Sequence, residues 1–126
     1  MTTGSTRIAA MVLTAASIGT AAGVATAQTS YTVSVSLDYT GPFANVMESW
    51  WGGQQSVFDW WNATRGKSLG VKLDIKTHDM RYDASVVART WPQILSQDKP
   101  IVFLGMGTPD LVSLMKRLPA DKVPMI

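Results

Sequence analysis

Polar and apolar residues alternate from Thr32 to Asp38 in Thr32-Val33-Ser34-Val35-Ser36-Leu37-Asp38, and this predicts a strand. Thr40-Gly41-Pro42 breaks the pattern. From Asn45 the period lengthens, and Met47, Trp50, Gln54, Val57, Phe58 and Trp61 recur at helical steps on one face. Asn45 is the expected N-cap, with Glu48 in capping-box position, and the helix is expected to end near Asn62-Ala63. Val71 to Asp79 alternates again and reads as a second strand with one wet face, as at a sheet edge. Asp83 should cap a second helix with the stripe Ala84, Val87, Ala88, Trp91 and Leu95, in which Pro92 forces a kink or local unwinding.

Ile101-Val102-Phe103-Leu104 is a short continuous apolar run, the pattern of a central parallel strand buried on both faces. Thr108 then serves as N-cap of a third helix, with Pro109 at its first position and Leu111, Leu114, Met115 and Leu118 as its buried stripe. Val123 to Ile126 begins a fourth strand. The order β-α-β-α-β-α-β implies an α/β fold, a doubly wound, Rossmann-like parallel sheet joined by right-handed crossovers.

The segment before the first strand has a different character. Arg7 is its one charge, an apolar and small-residue run follows from Ile8 to Val24, and Ala25-Thr26-Ala27 closes it. A positive start, an apolar middle and an A-x-A end mark a secretory signal peptide over residues 1–27, cleaved after Ala27. The expected mature protein is extracytoplasmic and comprises residues 28–126.

Composition narrows the chemistry. The chain carries 11 Lys and Arg against nine Asp and Glu, scattered rather than clustered, which is no footprint for nucleic acid. There is no cysteine and only one histidine, so thiolate sites, disulfides and a histidine-rich metal centre are excluded. No cofactor or metal is expected, and no nucleophile–base spacing points to an enzyme. Gly105-Met106-Gly107 half-matches a dinucleotide fingerprint but lacks its third glycine. Of five tryptophans, Trp50, Trp61 and Trp91 lie on helical core stripes, whereas Trp51 and Trp60 lie off them. Gly52-Gly53 inside the first helix costs about 1 kcal/mol per glycine, which close packing on the sheet or an early unwound turn would explain.

Ligands of open parallel sheets bind beyond the carboxyl ends of the strands, where the winding reverses. With the first strand central, that crevice lies between residues 38–45 and 105–108. Gly105 and Gly107 let backbone approach a ligand, and the N–H groups and dipole at the next helix favour a carboxylate, with the Thr108 hydroxyl beside them.

These residues resemble, in order and spacing, the ABC-transporter solute-binding proteins of the type I periplasmic binding fold, in the branched-chain amino acid or amide group. The likeness runs through Thr40-Gly41-Pro42-Phe43-Ala44, Asn62-Ala63 with Gly66, the strand ending at Asp79, Asp83, Gly105-Met106-Gly107-Thr108 and Val123-Pro124-Met125-Ile126. The resemblance implies that residues 28–126 are an incomplete N-terminal lobe of a two-lobed protein. Such a protein closes on an amino acid or small amide and presents it to an ABC permease in the inner membrane. It implies a solute site formed by Tyr39, Thr40, Gly41, Phe43 and Val46 with Met106, Gly107 and Thr108, where Thr108 and nearby N–H groups hold the carboxylate. Val46 stands where some amino acid binders carry an aromatic residue, a departure from a leucine-type pocket. A ligand-sensing lobe of a receptor is the alternative, and a small exported α/β enzyme is a weaker one.

Overall fold

A computed structural model describes residues 28–126, so the signal segment read at residues 1–27 lies outside the described residues. Strand β1, Thr29–Leu37, is central, with β2, Val71–Asp79, on one side and β3, Val102–Leu104, on the other. Both pairings are parallel, Thr29 facing Val71 through to Leu37 facing Asp79, and Val33 to Val35 facing Val102 to Leu104. The last residues run beside β3 through Phe103 N–H to the Pro124 carbonyl at 3.0 Å and Ile126 N–H to the Phe103 carbonyl at 3.1 Å. They make one parallel bridge, Phe103 to Met125.

Crossing from β1 to β2 and then back past β1 to β3 reverses direction, so the two connecting helices fall on opposite faces of the sheet. On one face Val33, Val35 and Leu37 bury against Met47 of α1, Ala44–Trp61, with Trp51 and Phe58 packed beside them. On the other, Phe103 packs with Val87, Trp91 and Ile94 from α3, Ala84–Gln93, and the turn after it, and with Leu114 of α4, Thr108–Leu114. The Trp91 and Phe103 rings meet edge to face at 5.2 Å, and the Trp91 indole donates to Asp121 at 2.7 Å. That bond ties down the short helix α5, Leu118–Asp121.

Helix α1 departs from expectation at both ends. It starts at Ala44 without a capping side chain; Asp38 at the end of β1 accepts the Phe43 N–H at 2.7 Å and so supplies the acceptor at this helix end that Asn45 and Glu48 were expected to provide. At the other end Asn62 does not terminate it. Its side chain donates to the Leu73 carbonyl at 2.9 Å and accepts the Leu73 N–H at 2.8 Å, pairing with the outer edge of β2. The chain continues through a π-turn, Asn62–Gly66, and α2, Lys67–Leu69, and stops at Gly70 with φ 67°.

The expected α1 stripe is also rotated. Met47 is buried and Trp51 and Phe58 pack on the sheet, while Trp50 and Val57 are exposed. A Cβ at Gly52 or Gly53 would meet nothing within 4 Å, so these glycines do not press on the sheet. The apolar arc of α1 is simply wider than the surface it covers. For the same reason β3 is not buried on both faces: Phe103 is fully buried, but Val102 and Leu104 are only partly covered by α1.

Pro92 is followed by a π-turn, Ile94–Asp98, closed by Lys99 at φ 49°. The widened turn adds Ile94 to the core, with Leu95 partly buried against it, and carries Asp98 to Ser34 at 2.8 Å and His78 at 2.7 Å. In α4, Gly107 and not Thr108 is the N-cap, and Leu111 and Met115 are exposed. The helix turns Asp110 inward instead, and Leu114 alone of the expected stripe is fully buried.

Trp91→Phe keeps the aromatic contact with Phe103 and removes the indole donor. We expect a loss of about 1.5 kcal/mol, the worth of a hydrogen bond to a charged group at the low end. Urea unfolding should show it as a lower midpoint with an unchanged slope.

Candidate functional site

Three loops leave the carboxyl ends of the strands side by side: residues 38–43 after β1, 80–83 after β2 and 105–107 after β3. The first is shaped by Asp38. This carboxylate is buried, one oxygen holding Phe43 N–H and the other without a partner. Any Cβ at Gly41 would collide with Asp38 Oδ1 and lie 2.7 Å from the Arg81 carbonyl, so the turn accepts only glycine there.

Asp79 joins the first loop to the second. It accepts N–H groups from Tyr39 at 3.0 Å, Thr40 at 3.4 Å and Arg81 at 3.3 Å, and the Thr40 hydroxyl at 2.6 Å. Burial alone would raise the Asp79 carboxyl, but the Thr40 hydroxyl and the three N–H groups outweigh it and hold it below the usual carboxylate value. Asp83, four residues later, is lowered by the N–H groups of Val86 and Ser85 that it caps, at 3.1 and 2.7 Å.

Tyr82 joins the second loop to the other two. Its ring meets Phe43 edge to face at 4.8 Å, and it fills the space a side chain at Gly107 would need, with Cε2 2.8 Å from that Cβ position. Arg81 and Tyr82 are both left-handed, at φ 55° and 49°. Two consecutive non-glycine residues in that region are costly, and such strain persists where tertiary contacts impose it. Sequence reasoning missed Tyr82 and the clasping role of Asp79. The available signal was a bulky aromatic side chain between a strand-ending acid and a helix cap at the ligand-binding end of the sheet.

The third loop differs from expectation. Asp110 Oδ2 accepts both Met106 N–H at 3.0 Å and Gly107 N–H at 3.1 Å, so these donors are not free for a ligand carboxylate. Asp110 and Leu111 N–H bond the Gly107 carbonyl, and Pro109 has none to give. What the loop offers is the N–H and hydroxyl of Thr108, exposed at the first position of α4.

The structure thus gathers Tyr39, Thr40, Gly41, Phe43, Met106, Gly107 and Thr108 at one end of the sheet, linked through Asp79 and Tyr82. Val46 lies in the first turn of α1, its N–H on the Phe43 carbonyl at 3.0 Å, with its side chain half exposed. Among the described residues no cluster of three acidic or histidine side chains could hold a metal ion. No described helix is long and apolar enough to cross a membrane.

A family profile described as periplasmic binding protein matches residues 30–126. The chain belongs to the periplasmic binding protein family. Members of that family are extracytoplasmic binding proteins rather than enzymes. No curated protein matched by sequence. Among solved structures, a possible leucine/isoleucine/valine-binding protein from Rhodopirellula baltica superposes with TM-score 0.68 at 19% identity, over 82% of this chain and 28% of its own. A branched-chain amino acid ABC transporter protein from Thermus thermophilus with bound valine gives 0.65 at 21%, over 78% and 25%. The branched-chain amino acid transporter substrate-binding protein of Streptococcus pneumoniae, in complex with isoleucine, gives 0.64 at 15%, over 77% and 28%. These likenesses establish the fold, and this chain spans about a quarter of the length of each of those periplasmic binding proteins.

The lowered Asp79 fixes a pH dependence. A carboxyl whose folded value lies below its unfolded one stabilises the fold above the unfolded value, about 3.9, and that stability is lost as pH falls through the folded value. Acid should therefore loosen the junction of the first two loops. In Asp79→Asn we expect part of the acid dependence of the unfolding midpoint to vanish, and amide shifts of Tyr39 and Thr40 to stop titrating below pH ~4.

Proposed function

We propose that this chain forms the solute-contacting surface of the first lobe of an ABC-importer binding protein. The solute is an amino acid or a related small amide or carboxylate, delivered to a membrane permease. The observation that carries this is the union of three strand-end loops by Asp79 and Tyr82. They form a continuous surface with an apolar half, Phe43 and Tyr82, and a polar half, Thr40 and Thr108. An aliphatic or aromatic side chain fits the first half. A carboxylate or amide oxygen fits the Thr108 N–H and hydroxyl. The Thr40 hydroxyl already donates to Asp79, so it offers a solute an acceptor.

The charges around this surface narrow the solute. Asp38, Asp79 and Asp110 all lie at this end of the sheet. A second negative charge on the solute would be repelled, which favours zwitterions and neutral amides over dicarboxylates. The isoleucine and valine held by the Streptococcus pneumoniae and Thermus thermophilus proteins are of that kind.

Calorimetry of the intact gene product with leucine, isoleucine, valine and a small primary amide tests the reading. We expect a binder among them with an affinity of roughly micromolar or better. In Thr108→Val we expect about 10- to 100-fold weaker binding, the loss of a hydrogen bond to a charged group. Absence of binding to every compound, or an unchanged affinity in the variant, would refute it.

Export follows the same reading. The first strand begins at Thr29, just beyond the expected cleavage after Ala27, so processing there leaves the whole strand intact. Mass spectrometry of the secreted protein should find its first residue at Gln28. A retained Met1 would refute cleavage.

A further inference from the structure

The outer side of α1 carries a second apolar stripe. Val46, Trp50, Val57 and Trp60 are 49%, 40%, 62% and 55% exposed. With Gly53 they recur at alternating four- and three-residue steps, the spacing of a helix–helix seam. At about 100° per residue this stripe lies roughly a third of a turn from the Met47, Trp51 and Phe58 face that packs on the sheet. The acidic residues of the helix, Glu48 and Asp59, fall on the opposite side, and both are exposed. Ser49 and Ser56, which flank the stripe, are uncharged. Charge is depleted from the cores of protein interfaces in the same way. An anionic lipid surface would instead want Lys or Arg on the polar face, where this helix has acids.

The order of side chains along the stripe selects its partner. Gly52 and Gly53 lie at the middle of Ala44–Trp61, and the space above both is open. Reversed about Gly53, the stripe nearly matches itself: Trp60 falls opposite Val46, Trp50 opposite Ser56 beside Val57, and glycine opposite glycine. Each indole meets a small side chain, and the glycines let the backbones approach. We propose that α1 is a self-association surface on which two copies of this chain pack antiparallel about a two-fold axis at Gly53. Such an isologous contact closes on itself as a dimer.

The area sets its strength. Two half-exposed indoles and two valines supply on the order of 400 Å² per copy, about half of what a standard stable interface buries per partner. The pair is therefore reversible.

The chain has no cysteine, so single introduced thiols report without background. On mild oxidation of the protein, Gly53→Cys should yield at least about tenfold more covalent homodimer than Gln55→Cys on the acidic side, since a disulfide needs Cα atoms within about 7 Å. Val46→Cys and Trp60→Cys should cross-link when mixed and not singly, which a parallel arrangement would not give. Sedimentation of the unaltered protein should show a monomer–dimer equilibrium. Trp50→Gln with Trp60→Gln should raise its dissociation constant at least about tenfold while the circular dichroism spectrum is kept. A protein that stays monomeric to on the order of 100 µM and gives no Gly53→Cys dimer overturns the proposal. That result is also the one expected if a later segment of a longer chain covers the stripe. Co-sedimentation with phosphatidylglycerol vesicles without self-association overturns it as well.

Discussion

Carboxylates that accept backbone N–H groups hold the functional end of this sheet together. A parallel sheet ends in loops whose N–H groups have lost the ladder, and buried ones need acceptors. Asp38 takes Phe43, Asp79 takes Tyr39, Thr40 and Arg81, and Asp110 takes Met106 and Gly107. Each bond is charge-assisted, and so stronger than a neutral one. The position of α1, the need for glycine at residue 41 and the presentation of Thr108 all follow from which donors these three side chains occupy.

The same device limits what the site can do. Two N–H groups that would suit a ligand anion are already spent on Asp110, and the Thr40 proton on Asp79. The polar half of the surface therefore rests on few groups. Tyr82, held in a strained left-handed backbone, fixes the spacing between the first and third loops by wedging between Phe43 and Gly107. Binding specificity on this lobe is then largely a matter of shape near these rings.

Much of the fold was legible before the structure. The alternation of Val71 to Asp79 placed β2 at its observed bounds, and Asp83 caps its helix as its position implied. The central place of β1 and the gathering of the loops at residues 38–43 and 105–108 followed from topology. The rotation of α1 was not legible, because its apolar residues form two adjoining stripes and periodicity averages them. Nor was the shift of the α4 cap from Thr108 to Gly107, since it depends on Asp110 turning inward across four residues. Tyr82 was invisible for a different reason: its partners are 39 and 25 positions away, and no local pattern records them.

Asn62 has a consequence beyond ending a helix late. By bonding both the N–H and the carbonyl of Leu73, its amide imitates one residue of a neighbouring strand. The outer edge of β2 is thereby interrupted near its start, and Lys72, Asp74 and Lys76 place charges on either side of that point, Lys76 and Asp74 paired at 3.3 Å. A foreign strand seeking to extend the sheet would meet a blocked rung flanked by charges. An unguarded edge recruits other chains into aggregates. Here one side-chain amide lends the margin of the domain resistance to that fate.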